Sequence, residues 1–156
     1  MRIAKHYKSY RYIDARNARD LMNECAKSSA EMMPFYYEKY TMKPCNMDYS
    51  LDSMELVEEF IKCMRKVKLN DTDLKCQLQS AGYYMGEILK RKIGGCWLEH
   101  FYPVSSPTHT IFSEYFRLPD RKFINLEELV VLFYEKGEKY SLKNKIETIL
   151  KQGGWY

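Results

Sequence analysis

The chain has 156 residues, enough to bury a hydrophobic core without a metal ion or disulfide bonds to hold it together. Hydrophobic residues make up 46% and charged residues 29% of it, a balance typical of a globular protein that excludes a disordered chain. The formal net charge is +4, and no apolar run approaches the roughly 18 residues that a membrane span requires. No signal-peptide pattern opens the sequence. We therefore predict a single domain over residues 1–156, located in the cytoplasm.

The N-terminal part of the sequence carries all of the excess positive charge. Residues 1–43 hold nine Lys and Arg against five Asp and Glu, and the rest of the chain is neutral. The densest part, MRIAKHYKSYRYIDAR, alternates basic and aromatic residues, a composition suited to phosphate contacts and base stacking. One hypothesis is therefore nucleic-acid binding, and the alternative is a solvated basic face. The phosphate-binding residues would be Arg2, Lys5, Lys8 and Arg11.

Amphipathic helices dominate the first half of the chain. Apolar residues recur at three- and four-residue steps from about Ala15 to Met33, which predicts a helix that ends at Pro34. The stretch that follows, FYYEKYTMKPCNMDY, has no steady period and several aromatic residues, so it is predicted to be a packed connection. A second helix is predicted in SLDSMELVEEFIKCMRKV, with Ser50 or Asp52 as its N-cap.

The third predicted helix runs from about Asp73 to Ile93 and contains two glycines within SAGYYMGEILKRKIGGCW. In a helix interior, Gly82 and Gly86 each cost up to about 1 kcal/mol relative to alanine. We expect the close approach of another backbone, from a neighbouring helix or the sheet, to offset that cost. The basic last turn and Gly94, in a left-handed conformation, are predicted to end the helix.

Glu87 is the polar residue of this helix that most needs an explanation. At 100° per residue it lies roughly opposite the apolar stripe, near Tyr83 and Arg91. One alternative is a surface ion pair with Arg91, four residues on. The other is a polar and aromatic face, formed with Tyr83 and Tyr84, that the N-terminal segment or a partner covers. The sequence leaves both open.

Strand-like patterns follow the third helix. WLEHFY and THTIFSEYFRL combine aromatic and β-branched residues with partial alternation, and a short third strand is predicted around Lys122 to Ile124. Asn125 is then the predicted N-cap of a helix that ends at Gly137, and Ser141 the N-cap of a last helix. The order predicts an α+β fold with N-terminal helices, a small antiparallel sheet of about three strands, and two C-terminal helices.

Recognisable catalytic and metal-binding motifs are absent from the sequence. It contains no GxSxG, no glycine-rich phosphate loop and no HExxH, so we predict a protein that is not an enzyme. The nearest set of metal ligands is Cys96, His100 and His109, which lacks the fourth ligand of a structural zinc site. We therefore predict no metal and no cofactor. The remaining enzyme hypothesis is a site assembled by the fold from Glu87, Tyr83, Tyr84 and His100.

Three segments, NMDYSLDSMELVEEFI, SAGYYMGEILKRKIGGCW and LPDRKFINLEELVVLF, occur in an order that resembles a group of small bacterial proteins of uncharacterised function. That group typically shows a Tyr-x-Gly-Glu run on a helix, a Gly-Gly-x-Trp break and a hydrophobic-Pro-Asp turn before an Asn-capped helix. The likeness spans about residues 46–150. The matching residues here are Tyr84, Gly86, Glu87, Gly94, Gly95, Trp97, Pro119, Asp120 and Asn125.

Such proteins look like the immunity proteins that are encoded beside secreted toxins. The resemblance implies a non-enzymatic inhibitor that binds and blocks a cognate toxin and has no catalytic residues. A content of 14 Tyr and 9 Met also suits a protein-binding surface. Because the chain is basic, we expect the toxin to present an acidic or mixed surface. The predicted partner-binding residues are Tyr83, Tyr84, Glu87, Arg91, Trp97 and His100.

Overall fold

The computed structural model describes residues 15–98 and 115–156. It confirms the predicted α+β class, with helices on either side of a small antiparallel sheet in the chain order. The elements are α1 (Ala15–Ala30), α2 (Met33–Thr41), α3 (Met54–Arg65), α4 (Asp71–Ile93), β1 (Cys96–Trp97), β2 (Tyr115–Arg117), β3 (Phe123–Asn125), α5 (Leu126–Lys136), a 3-10 turn (Glu138–Tyr140) and α6 (Leu142–Gln152).

Among the described residues the sheet has three strands in the order β1-β2-β3, and both pairs of neighbours are antiparallel. Phe116 is the central residue and pairs with Trp97 on one side and Ile124 on the other. Because side chains alternate along a strand, Phe116 and Trp97 are buried, whereas Tyr115 and Phe123 are exposed on the opposite face. β1 packs against both α1 and α4.

Helix α4 lies at the centre of the fold. It packs against α1, α2, α3, α5 and β1. Because neighbours cover it on several sides, every residue from Ser80 to Leu89 is buried except Tyr83. A helix covered all round is usually apolar, so the polar residues in this stretch require partners or a function.

The boundary between α1 and α2 differs from the prediction. α1 ends at Ala30, and Pro34 lies in the first turn of α2 rather than at the end of α1. Proline is compatible with a first turn because the N–H that it lacks would have no partner within the helix there. The first half of the predicted connection, from Phe35 to Thr41, is therefore helical.

Most of the predicted helix ends are confirmed. The Asn125 side chain accepts a hydrogen bond from the Glu128 N–H at 2.9 Å, Ser141 caps α6, and Gly137 ends α5. Gly94 ends α4 with φ 84° and ψ −158°, which has the predicted positive φ but is not the left-handed helical conformation.

One helix start and one N-cap differ from the predictions. α4 begins at Asp71, earlier than predicted, because the Asn70 side chain accepts from the Asp73 N–H at 2.8 Å. At α3 neither Ser50 nor Asp52 is the cap, and Ser53 holds that position without a capping side-chain bond to any described residue.

Within the described residues, no helix has both the length and the apolar character needed to cross a membrane.

Candidate functional site

Four side chains around the second half of α4 form what we term the polar-aromatic cluster: Tyr49, Tyr84, Glu87 and Arg91. The Tyr49 and Tyr84 rings stack with centroids 4.7 Å apart, and the Arg91 guanidinium lies 3.6 Å from the Tyr49 centroid. The Tyr84 hydroxyl accepts from the Tyr49 N–H at 3.0 Å and lies 2.8 Å from the Ser53 hydroxyl. Tyr49 has a left-handed backbone, with φ 59°, which is uncommon outside glycine. The cluster thus anchors the segment before α3 to α4.

Glu87 is buried within this cluster, with 4% of its surface exposed. Its Oε1 atom is buried and has no hydrogen-bond partner in the part of the chain that the structure describes. Removal from water raises the pKa of the Glu87 carboxyl, and the positive charges of Lys90, Arg91 and Lys27 partly oppose that rise. Glu31 adds to it.

The burial of Glu87 decides between the two alternatives left open by the sequence. A surface ion pair with Arg91 is wrong, because the carboxyl is inside and the Arg91 guanidinium covers Tyr49 instead. Lys27 and Glu31, at the C-terminal end of α1 and just beyond it, act on the Glu87 carboxyl. The polar face of α4 is therefore covered by other parts of the chain, by α1 and by Tyr49 of the segment before α3.

Gly82 and Gly86 allow two different close approaches to α4. A methyl group at Gly82 would lie 3.5 Å from the Glu127 backbone, so the predicted backbone approach is confirmed there. At Gly86 the neighbour is instead a side chain, because a methyl group there would lie 2.1 Å from Cζ2 of the Trp97 indole. That indole is 1% exposed, and it makes edge-on contacts with Tyr83 and Phe116, whose ring centroids lie 4.8 Å and 5.3 Å from its own.

The predicted partner-binding residues are not brought together on the surface. Tyr84, Glu87 and Trp97 are core positions, which corrects their assignment to a binding surface, because a folded domain cannot present them to a partner. Tyr83 is half-buried against Trp97, and Arg91 is exposed. The same burial places the Glu87 carboxyl of the enzyme hypothesis away from solvent.

Several predicted residues lie outside the described residues. These are His100 and His109, and the four basic residues of the nucleic-acid hypothesis, Arg2, Lys5, Lys8 and Arg11. Over residues 15–98 and 115–156, no group of His, Cys, Asp or Glu side chains is arranged to hold a metal ion. All five cysteines are free thiols.

Exposed apolar side chains occur on α2 and at its two caps, and two of them, Phe35 and Met42, belong to the stretch that the sequence predicted to be a connection. Met32, Phe35 and Met42 are 41%, 57% and 85% exposed, and we term them the α2 apolar face. Phe35 lies within α2, whereas Met32 and Met42 are its N-cap and C-cap, and Met42 has a left-handed backbone with φ 57°. The other side of α2 is also aromatic, and its Tyr36 and Tyr40 rings contact Phe60 in the core. A helix that is apolar on both sides has no clear hydrophobic period in its sequence. For this reason the sequence predicted a connection in place of α2.

A groove between α4 and α5 is the second surface feature. It has a volume of about 290 Å³, and we term it the α4–α5 groove. Apolar residues form its floor, and charged residues surround them. The lining residues are Asp71, Leu74, Lys75, Leu78, Glu127, Val131, Tyr134 and Glu135.

No family model, no curated protein and no solved structure matches this chain.

Proposed function

We propose that this protein is a non-enzymatic protein-binding module of the cytoplasm, and most concretely an immunity protein that binds and blocks a cognate toxin. The observation that carries the proposal is the α2 apolar face. Exposed Met and Phe side chains on a short helix and its two caps are typical of a surface that a protein partner covers. The sequence resemblance to immunity proteins gives the partner its class.

The α2 apolar face can supply a useful part of a binding energy. Fully burying one Met or Phe side chain contributes about 1.5–3 kcal/mol. Since the three side chains are 41%, 57% and 85% exposed, covering them would contribute roughly 3–5 kcal/mol. An aromatic anchor such as Phe35, with flexible methionines beside it, has the composition of an interface hot spot.

The test is co-expression of the chain with the product of each flanking gene, followed by size-exclusion chromatography and a growth assay. We expect one such product to be toxic alone, and to be neutralised and bound by this protein. The double substitution Phe35→Ser and Met42→Ser should weaken the complex by about 30-fold, equivalent to roughly 2 kcal/mol. Val67→Ser is the matched control, because Val67 is 43% exposed but lies beyond the end of α3. Absence of a complex and of rescue for every flanking product would overturn the proposal.

Nucleic-acid binding is the second candidate, because residues 1–43 carry the whole excess of positive charge. Arg2, Lys5, Lys8 and Arg11 would contact phosphates, with the adjacent tyrosines stacking on bases. Release of counterions then predicts an affinity that falls steeply as salt rises. Fluorescence anisotropy with labelled single-stranded DNA and RNA at about 50 mM salt tests this candidate, and no binding there rejects it.

A further inference from the structure

The α4–α5 groove exposes apolar surface on both of its walls. Leu74 and Leu78, one helical turn apart, form the α4 wall, and Val131 and Tyr134 form the α5 wall. Leu78 is buried, whereas the other three are only half-buried. Near Gly82 the two helices are in close contact through the Glu127 backbone, so the groove opens toward the N-terminal end of α4. Contact with solvent along this floor is unfavourable until a ligand covers it.

The charges around the groove have the opposite sign to the chain as a whole. Three carboxylates, of Asp71, Glu127 and Glu135, surround it with one ammonium group, that of Lys75. The described lining residues thus carry a formal charge of −2, on a chain whose formal charge is +4. Among the described residues, neither Asp71 nor Glu135 forms an ion pair. Both carboxylates are exposed, and they complement the Lys or Arg side chains of a ligand.

We propose that the α4–α5 groove is a docking site for a cationic amphipathic segment of a partner protein. An apolar side chain of the segment would lie between Leu74 and Val131, and flanking Lys or Arg side chains would contact Asp71 and Glu135. A volume of about 290 Å³ lies at the lower end for small-molecule sites but accommodates one or two side chains. The mode is that of an amphipathic helix in a groove.

The chain's own basic N-terminus is a less suitable occupant because of the direction of α1. The Asn23 side chain accepts from the Trp97 N–H at 3.2 Å, and Ser29 contacts Ser80 at 2.9 Å, so α1 runs antiparallel to α4. At 1.5 Å per residue, Ala15 lies roughly 35 Å from Leu74 along the helix axes. Residues 1–14 would need about ten extended residues to span that distance, which leaves only about four for the groove. The segment of a partner protein is therefore the occupant that we propose.

This inference shares with the proposed function only the premise that the ligand is a protein. The probe is a pair of fluorescein-labelled 14-residue helical peptides with identical leucine positions and either lysine or glutamate at all polar positions. Anisotropy should show saturable binding of the lysine peptide and none of the glutamate peptide. The binding should also weaken between about 50 and 500 mM salt, because the rim charges are exposed.

Variants assign the binding to the groove. Asp71→Asn with Glu135→Gln should weaken the lysine peptide about threefold to tenfold, as expected for two exposed ion pairs. Asp20→Asn with Glu24→Gln is the matched control, because it removes the same charge from exposed positions on α1, and it should change affinity less than twofold. Leu74→Trp, which fills the groove, should weaken binding at least tenfold, with circular dichroism confirming the fold.

Several results would overturn the proposal. If the two double variants that remove charge lose the same affinity for the lysine peptide, the peptide is attracted only by the overall charge. If Leu74→Trp binds the peptide with unchanged affinity, the peptide binds outside the groove. Self-association that Asp71→Asn with Glu135→Gln abolishes would make a second copy of the chain the occupant. Tighter peptide binding after deletion of residues 1–14 would make the chain's own N-terminus the occupant. The peptide result stands whether or not a toxin partner is found, so the two proposals fail separately.

Discussion

Replacing Gly86 by alanine should destabilise the protein, although alanine is the better helix former. The added methyl group would lie 2.1 Å from Cζ2 and 2.7 Å from Cε2 of the Trp97 indole, whereas ordinary contacts begin near 3.4 Å. The ring would have to move by about 1.3 Å, but it is fully buried and in contact with Phe116 and Tyr83. The neighbours therefore have to move with it.

The magnitude follows from two opposing terms. Overpacking of a dense core costs typically about 1–3 kcal/mol, and a large fixed ring belongs at the upper end of that range. The gain in helix propensity returns up to about 1 kcal/mol. We expect Gly86→Ala to lower the free energy of unfolding by about 2 kcal/mol, which corresponds to a fall in Tm of about 4–8 °C.

Gly82→Ala is the matched control, because it is the same substitution one turn earlier on the same helix. Its methyl group would lie 3.5 Å from the Glu127 backbone, an ordinary contact, so the propensity gain should stabilise the protein by up to about 1 kcal/mol. Urea unfolding followed by circular dichroism measures both variants. The combination of Gly86→Ala with Trp97→Phe should cost less than the sum of the single changes. If Gly86→Ala is as stable as Gly82→Ala, the reasoning from Trp97 is refuted.

Two further predictions concern the polar-aromatic cluster. Burial raises the pKa of Glu87 above its unfolded value near 4.5, so the folded state binds this proton more tightly than the unfolded state. The free energy of unfolding therefore falls as the pH rises and the buried carboxyl loses its proton. Glu87→Gln should therefore be more stable than the parent at pH 8 and equal to it near pH 4 in urea unfolding; lower stability at pH 8 would contradict this. Tyr84→Phe removes the acceptor of the Tyr49 N–H and should cost about 1–2 kcal/mol. Tyr36→Phe is the control, at a half-buried position, and it should change the free energy of unfolding by less than about 0.5 kcal/mol. If Tyr84→Phe and Tyr36→Phe lose the same stability, the role of the Tyr84 hydroxyl is refuted.

Local signals in the sequence were sufficient where a structural feature depends on a few neighbouring residues. Asn125 and Ser141 cap their helices, and Gly137 ends one, because these ends depend on bonds within a single turn. Pro34 shows the limit of such signals. A proline can follow the end of one helix or occupy the first turn of the next, and the surrounding sequence was compatible with both.

The candidate site was less predictable because exposure is not a local property. The sequence predicts that Glu87 lies away from the apolar stripe of α4, but it leaves open whether another part of the chain covers that face. Only the packing of α1 on α4 decides this, and it converts a surface ion-pair candidate into a buried carboxyl. For the same reason Trp97 was correctly placed at the start of the sheet, yet its insertion against Gly86 required the structure.

The sequence by itself therefore determined the α+β class, the order of most elements and the need for close packing at Gly82 and Gly86. Tertiary structure alone decided which surfaces remain for a partner. The α2 apolar face and the α4–α5 groove exist because neighbouring helices leave these residues uncovered, and that depends on contacts between segments far apart in the chain.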